Sequence, residues 1–496
     1  MLIRTLQFRY ALIALVLLTA VTRLPSLLHP RGIDDETAYS VVANEIVDGG
    51  LPFVDAVERK PPLVYWTYAA VFGVAGKYNW MALHAAALAW TLGTMAGLYV
   101  IGRRLFNRET GLIAALLYSV FQPWVTWKNL AFNGELLMNL PIVWAWAIAF
   151  GRSSSRMRPE LLLAGVLLCA GFLLKQPAAF AAVPLGIYLL LPSYRASRGL
   201  TPTQSIAHAT LLTVGFLGAL GAVIIVLLKQ GILRDAFYWT ITNHTDLHVF
   251  WDRALLLTPA FVAICWPLFV GAALAYRNND GVWAGKRAER TALFGLLAVS
   301  ALGTAAGGRY YPHYYIQLIP PLVLLAAPHC ARLWLGREQS RHWLLRPAIA
   351  YAWLALVVVG FSIVHWAGLL SQRQPTEAGR YLLEHSAVDD RIFVWGQEPK
   401  FYLDARRRPA SRYILILLFT GYDGRPNVDT RDRIVPDAWR TLEEDFRKHP
   451  PVYIIDLHSN PGARYPVRDF PILAKLLAEH YAPVTRTAEG LIYRRR

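Results

Sequence analysis

Apolar runs of about 18–25 residues, each long enough to cross a bilayer, recur along most of the chain and are separated by polar loops. About eleven can be counted, centred near Leu18, Trp90, Tyr118, Ile142, Leu167, Leu185, Ala219, Ile264, Val299, Leu324 and Val358. The pattern predicts a polytopic α-helical membrane protein. The stretch 160–192 reads as two spans divided at Lys175–Pro177, and 63–76 is a further, shorter apolar stretch. The first run, "YALIALVLLTAVTRLPSLL", follows Arg4 and Arg9 but lacks a small-x-small cleavage site, so it reads as an uncleaved anchor.

Around Gln372–Thr376 the pattern changes. "EAGRYLLEHS" has helical spacing, "DRIFVWG" reads as a strand, "AWRTLEEDFRKHP" as a helix, "VYIIDL" as a strand, "FPILAKLLAEHY" as a helix and "GLIYRRR" as a last strand. That order predicts a small α/β domain with a partly parallel sheet. The expected division is a transmembrane part over 1–370, with an outer loop at 29–78, and an extracytoplasmic α/β domain over 371–496.

Composition supports the membrane reading: the chain is 55% hydrophobic and 17% charged, with 17 tryptophans. Its net charge of +17 is not a nucleic-acid footprint. The cations concentrate in alternate short loops, at Arg103, Arg104 and Arg108; Arg152, Arg156 and Arg158; Arg195 and Arg198; Arg277, Lys286, Arg287 and Arg290; and Arg337, Arg341 and Arg346. That is the positive-inside pattern. It places the N-terminus in the cytoplasm and both the first loop and the C-terminal domain outside. Cys169, Cys265 and Cys330 all lie in apolar runs and are assigned to packing.

The first outer loop departs from this scheme. Of 16 acidic residues before position 371, seven lie between Asp34 and Glu58, followed at once by Arg59 and Lys60. The stretch after Asp34, Asp35 and Glu36 places Ala38, Val41, Val42 and Ile46 on one helical face, suited to lying on a membrane surface. Acids at a helix start also serve as caps with no catalytic role. Carboxylates and a lysine bracketing one amphipathic loop are, however, what a reaction needs when it takes a proton and expels a phosphate.

Other outer segments carry polar groups at the apolar boundary. Lys175 in "LLKQP" is either a phosphate partner or a snorkelling lysine. Arg309 and His313 in "GGRYYPHYY" are either site residues or part of an interfacial aromatic belt. Glu135 in "NLAFNGELLMNLP" either faces a cavity or caps the helix that follows. "DAFYWTITNHTDLHVFWDR" mixes aromatics with His244, Asp246 and His248 and is either a cover for an acceptor cleft or more of the belt.

"DDETAYSVVANEIVDGG" followed by "KPPLVYW" resembles the GT-C fold lipid-linked-sugar glycosyltransferases, and among them the group of protein O-mannosyltransferases and aminoarabinose–lipid A transferases. "LLKQPAAF", "GGRYYPHYYIQLIPP" and the C-terminal domain fit the same resemblance, which spans essentially the whole chain. It implies a polyprenyl-phosphate-linked sugar as donor, a glycolipid, glycan or protein hydroxyl as acceptor, and inversion at the anomeric carbon. The acidic pair of that family falls on Asp35 and Glu36, with Asp35 as base; Asp34 is an extra acid, so the register admits either aspartate. Lys60, Lys175 and Arg309 are implied for the donor phosphate, and Glu135, Arg59, His313 and Tyr39 for substrate contacts. A divalent cation is the one cofactor left open.

A transporter or flippase for a lipid-linked glycan is the alternative from another class, and a non-catalytic assembly subunit is a third. Transporters place ionisable groups near the midplane and on repeated broken helices, whereas here the charge gathers at one face.

Overall fold

A computed structural model of the chain describes residues 2–151, 158–244, 248–277, 281–335, 346–372, 375–422, 430–457 and 465–496. The contacts divide the chain into two compact units, Met1–Pro30 with His84–Val226 and His244–Ser371, and Arg31–Leu83 with Leu227–Asn243 and Gln372–Arg496.

The first unit is helical. Five described helices are long and apolar enough to cross a membrane: Gln7–Leu28, Trp80–Leu105, Pro202–Lys229, Pro312–Trp334 and Pro347–Leu370. The number rises to seven if two bent pairs each count as one span, Gln176–Leu190 with Pro192–Arg198 and Trp251–Ile264 with Trp266–Arg277. The chain is therefore multi-pass, but this count is smaller than the eleven expected. The runs near Tyr118, Ile142 and Leu167 fold as helices of 14, 17 and 15 residues. At about 1.5 Å per residue these measure roughly 21–26 Å, short of a hydrocarbon core of about 30 Å. The break expected at Lys175–Pro177 is present: the helix Glu160–Leu174 ends at an extended Lys175, and a 3-10 turn, Gln176–Ala181, leads into Ala182–Leu190. Glycines let helices approach closely. A Cβ on Gly165 or on Gly215 would stand 2.0 Å from a carbonyl oxygen of the facing helix, so Glu160–Leu174 and Pro202–Lys229 pack backbone to backbone.

The second unit contains the first loop and the C-terminal α/β domain. Its five strands, β1 (Arg391–Trp395), β2 (Arg408–Pro409), β3 (Tyr453–Leu457), β4 (Tyr481–Arg486) and β5 (Gly490–Arg495), form a sheet in the order β2-β1-β3-β5-β4. β1 pairs in parallel with β2 and β3, and β5 runs antiparallel between β3 and β4, so the expected partly parallel sheet is observed. β-branched and aromatic residues supply its core, with Ile392, Trp395, Ile455 and Ile492 fully buried. The helices Glu377–His385, Ala438–Lys448 and Pro471–His480 lie where their spacing placed them. In the first loop, two short helices follow one another, Glu36–Val47 and Pro62–Ala75.

Candidate active site

The three consecutive acids at the start of the Glu36–Val47 helix have three different environments. Asp34 adopts φ +53°, a left-handed conformation that Asp tolerates, and its carbonyl accepts from Thr37 N at 3.1 Å and Thr37 Oγ1 at 2.8 Å. Its side chain is exposed. Glu36 is fully buried and turns back along the chain, where its Oε2 accepts from Ile33 N at 2.9 Å. Capping thus falls to Glu36. Asp35 makes no cap bond. Its half-buried carboxylate instead receives the Tyr39 hydroxyl at 3.1 Å and stands 4.0 Å from Lys60 Nζ.

The Lys-Pro-Pro segment explains how Lys60 is held. Pro61 is extended, at φ −61° and ψ 155°, and Pro62 opens the next helix, where a missing N–H costs nothing. The Lys60 backbone N–H donates to Glu58 Oε2 at 3.0 Å and to the Tyr65 hydroxyl at 2.8 Å, while Tyr65 donates to the same Glu58 oxygen at 2.8 Å. The Lys60 ammonium lies 3.6 Å from Glu58 Oε1 and 5.5 Å from the centre of the Tyr39 ring. Burial works to raise the Glu58 carboxyl, but Lys60, Arg59 and the Arg59 backbone hold it below its ordinary value of 4.5. Tyr39 packs edge-on against Tyr65 and Tyr68. Asp35, Tyr39, Glu58 and Lys60 therefore form one cluster, with Arg59 beside it. Glu58 and Tyr65 were not among the expected site residues. The signal was a glutamate two positions before the motif lysine and a tyrosine five positions after it.

The transmembrane unit carries its own polar cluster. Glu135, at the start of the Gly134–Phe150 helix, is buried and ion-paired with Lys175, and His313 Nε2 stands 3.9 Å from the same carboxylate. The cap of that helix is Asn133, whose side chain accepts from Leu136 N at 3.3 Å, so Glu135 is free of the capping role. The Lys175 ammonium lies 4.3 Å from the centre of the Tyr314 ring. The Arg309 guanidinium lies 5.3 Å from the centre of the Phe250 ring, which Arg253 also covers at 4.3 Å, and Arg253 in turn lies over Tyr311, whose ring stacks on His313. Gly308 makes this turn feasible. It has φ +63°, its carbonyl accepts from Phe250 N at 2.8 Å, and a Cβ there would meet His248 O at 2.2 Å. Asp246 and the His244 side chain lie outside the described residues. Among the described residues no group of three or more His, Cys, Asp or Glu side chains converges to hold a metal ion.

Residues 59–225, about a third of the chain, match the dolichyl-phosphate-mannose-protein mannosyltransferase family model. No curated protein matches. Several solved structures do. ArnT from Cupriavidus metallidurans bound to undecaprenyl phosphate superposes with a TM-score of 0.63 at 14% identity, covering 97% of both chains. The archaeal oligosaccharyltransferase AglB from Archaeoglobus fulgidus, in complex with an inhibitory peptide and a dolichol-phosphate, gives 0.53 at 12% identity, covering 97% of this chain and 73% of that one. The arabinofuranosyltransferase AftD from Mycobacteria gives 0.54 at 14% identity, covering 98% of this chain and 41% of that one.

The chain has the GT-C fold. In this GT-C chain the family match begins at Arg59, so it includes Lys60 and the two prolines but not the acids at Asp34, Asp35 and Glu36. The environments of those three residues are therefore what separates their roles.

Proposed function

We propose that the protein is an inverting glycosyltransferase that moves a sugar from a polyprenyl phosphate to an acceptor hydroxyl at the outer face of a bacterial inner membrane. The observation that carries this reading is the pairing of Asp35 with Lys60 at 4.0 Å in one partly open cluster. The carboxylate is a weak base toward an alcohol in the ground state, but it accepts the proton as the oxygen bonds to the anomeric carbon. On the opposite side the carbon–phosphate-oxygen bond breaks, and the departing phosphate keeps the electron pair. Lys60, held beside Glu58 and Tyr39, meets that growing charge. The Tyr39 hydroxyl orients Asp35, and Arg59 adds positive charge beside it.

In the transmembrane unit Lys175 and Arg309 are the proposed further cations for the phosphate, and Glu135 and His313 the proposed polar contacts for donor or acceptor. Acceptors of this class are envelope glycolipids, polysaccharides or protein hydroxyls. The undecaprenyl phosphate of ArnT and the dolichol-phosphate of AglB support a polyprenyl carrier for this fold. The test is transfer from a panel of polyprenyl-phosphate sugars to envelope extracts, read by mass spectrometry. Asp35→Asn should abolish product while undecaprenyl phosphate still binds; product formed at the normal rate by that variant would rule the assignment out.

A further inference from the structure

The Glu36–Val47 helix carries the Asp35 cluster at one end and a second ionic cluster at the other. Glu45 is 2% exposed, and its carboxylate accepts a two-pronged contact from Arg408: Nε lies 2.9 Å from Oε1, and Nη2 donates to Oε2. Arg408 Nε also stands 3.8 Å from Asp48, which is 2.7 Å from Lys77 Nζ at the far end of the loop. Arg408 begins β2, the edge strand of the C-terminal sheet. A second tie lies just beyond it, where Val57 N donates to Arg412 O at 2.8 Å and the Arg412 guanidinium is itself held 2.8 Å from Asp445. The segment carrying Asp35 is thus fastened to the edge strand β2, and the segment just before Lys60 to the chain that follows that strand.

We propose that Arg408 is a positioning residue: by gripping Glu45 it fixes the Glu36–Val47 helix on the C-terminal sheet and so sets the separation of Asp35 from Lys60. The α/β domain then acts as a scaffold for the site. This rests on the reading of the first loop as the site that handles the carrier phosphate. A buried carboxylate needs its charge met, and a guanidinium fork meets it in one orientation only. Ten residues of helix separate Glu45 from Asp35, a lever of about 15 Å. A tilt of about 4° at Glu45 moves Asp35 by about 1 Å, a displacement that can cost on the order of 100-fold in rate.

The experiment is amide hydrogen exchange on the full chain in detergent, paired with undecaprenyl phosphate affinity. Arg408→Ala should raise exchange over residues 36–48 roughly tenfold to a hundredfold while β1, β3 and β5 keep their protection, and affinity should fall with it. Arg408→Lys, which keeps the charge but not the fork, should recover part of both. Glu45→Gln serves as the second variant should Arg408→Ala not fold, and should loosen the same segment. Unchanged exchange over 36–48, or an equal rise in helix and strands, overturns the proposal. A loosened helix with unchanged affinity leaves the tie intact and overturns the reading of the loop as the carrier site.

Discussion

Replacing Lys60 by methionine separates a counterion from a ligand. At 4.0 Å and an effective dielectric constant of about 20, the attraction between the Lys60 and Asp35 charges amounts to about 4 kcal/mol. The Asp35 side chain is 43% exposed, which discounts that contribution to about 1 kcal/mol or less. Glu58 decides the size of the effect. Its side chain is only 8% exposed, so losing the cation leaves a buried carboxylate. Removing one partner of a buried pair costs about 3–5 kcal/mol, but Glu58 keeps the Tyr65 hydroxyl and a backbone N–H, so about 2 kcal/mol of local stability should be lost. Hydrogen exchange over residues 51–61 reads this directly. The double variant Glu58→Gln/Lys60→Met removes the stranded charge and should regain most of the lost stability. Undecaprenyl phosphate affinity should fall roughly tenfold to a hundredfold in both the single and the double variant, the strength of a charge-assisted hydrogen bond. If the double variant regains affinity along with stability, Lys60 is a counterion for Glu58 and the phosphate role is refuted.

Three further outcomes follow from the geometry. Lys175→Met strands buried Glu135 and should lower the thermal stability of the purified protein, whereas Glu135→Gln/Lys175→Met should restore it; persistent loss of undecaprenyl phosphate affinity in the restored double variant marks Lys175 as a phosphate partner, and recovered affinity marks it as structural. Gly308→Ala should lower the Tm, because its φ of +63° alone costs about 1–3 kcal/mol for a residue with a side chain and the new methyl group meets His248 O; an unchanged Tm would contradict the turn geometry. The Glu58 carboxyl is held below 4.5, so its ionised form stabilises the loop above that value, and this contribution is lost as pH falls below 4.5 through the folded value. Exchange over 51–61, followed from about pH 6 to about pH 3, should rise at the acid end in the native protein and be flatter in Glu58→Gln.

The helix–strand alternation of the C-terminal domain was legible because each element shows its own period, 3.6 or 2, within a few residues, whereas the strand order was not. β2 was not, since two residues give no period, and β4 was masked by following the Pro471–His480 helix without a break. The break at Lys175 was legible because a lysine followed by Gln-Pro interrupts an apolar run, whereas the bend at Cys265 falls inside an unbroken apolar stretch that hydropathy reads as one span. Within the first loop, the sequence marks a cluster of acids but cannot apportion them. Three adjacent carboxylates look alike in a string of letters; the Asp34 left-handed turn, which aims Glu36 backward to Ile33 N and leaves Asp35 toward Lys60, is a consequence of backbone geometry. The Arg408–Glu45 contact joins residues 363 positions apart, and no local pattern announces it.

The most direct test is a cryo-EM structure of the full chain with undecaprenyl phosphate bound. The phosphate should lie within hydrogen-bond distance of Lys60 Nζ, with the Asp35 carboxylate facing the side from which an acceptor would approach. A phosphate seated away from the first loop, with Asp35 and Lys60 both in contact with bulk solvent, would contradict the assignment.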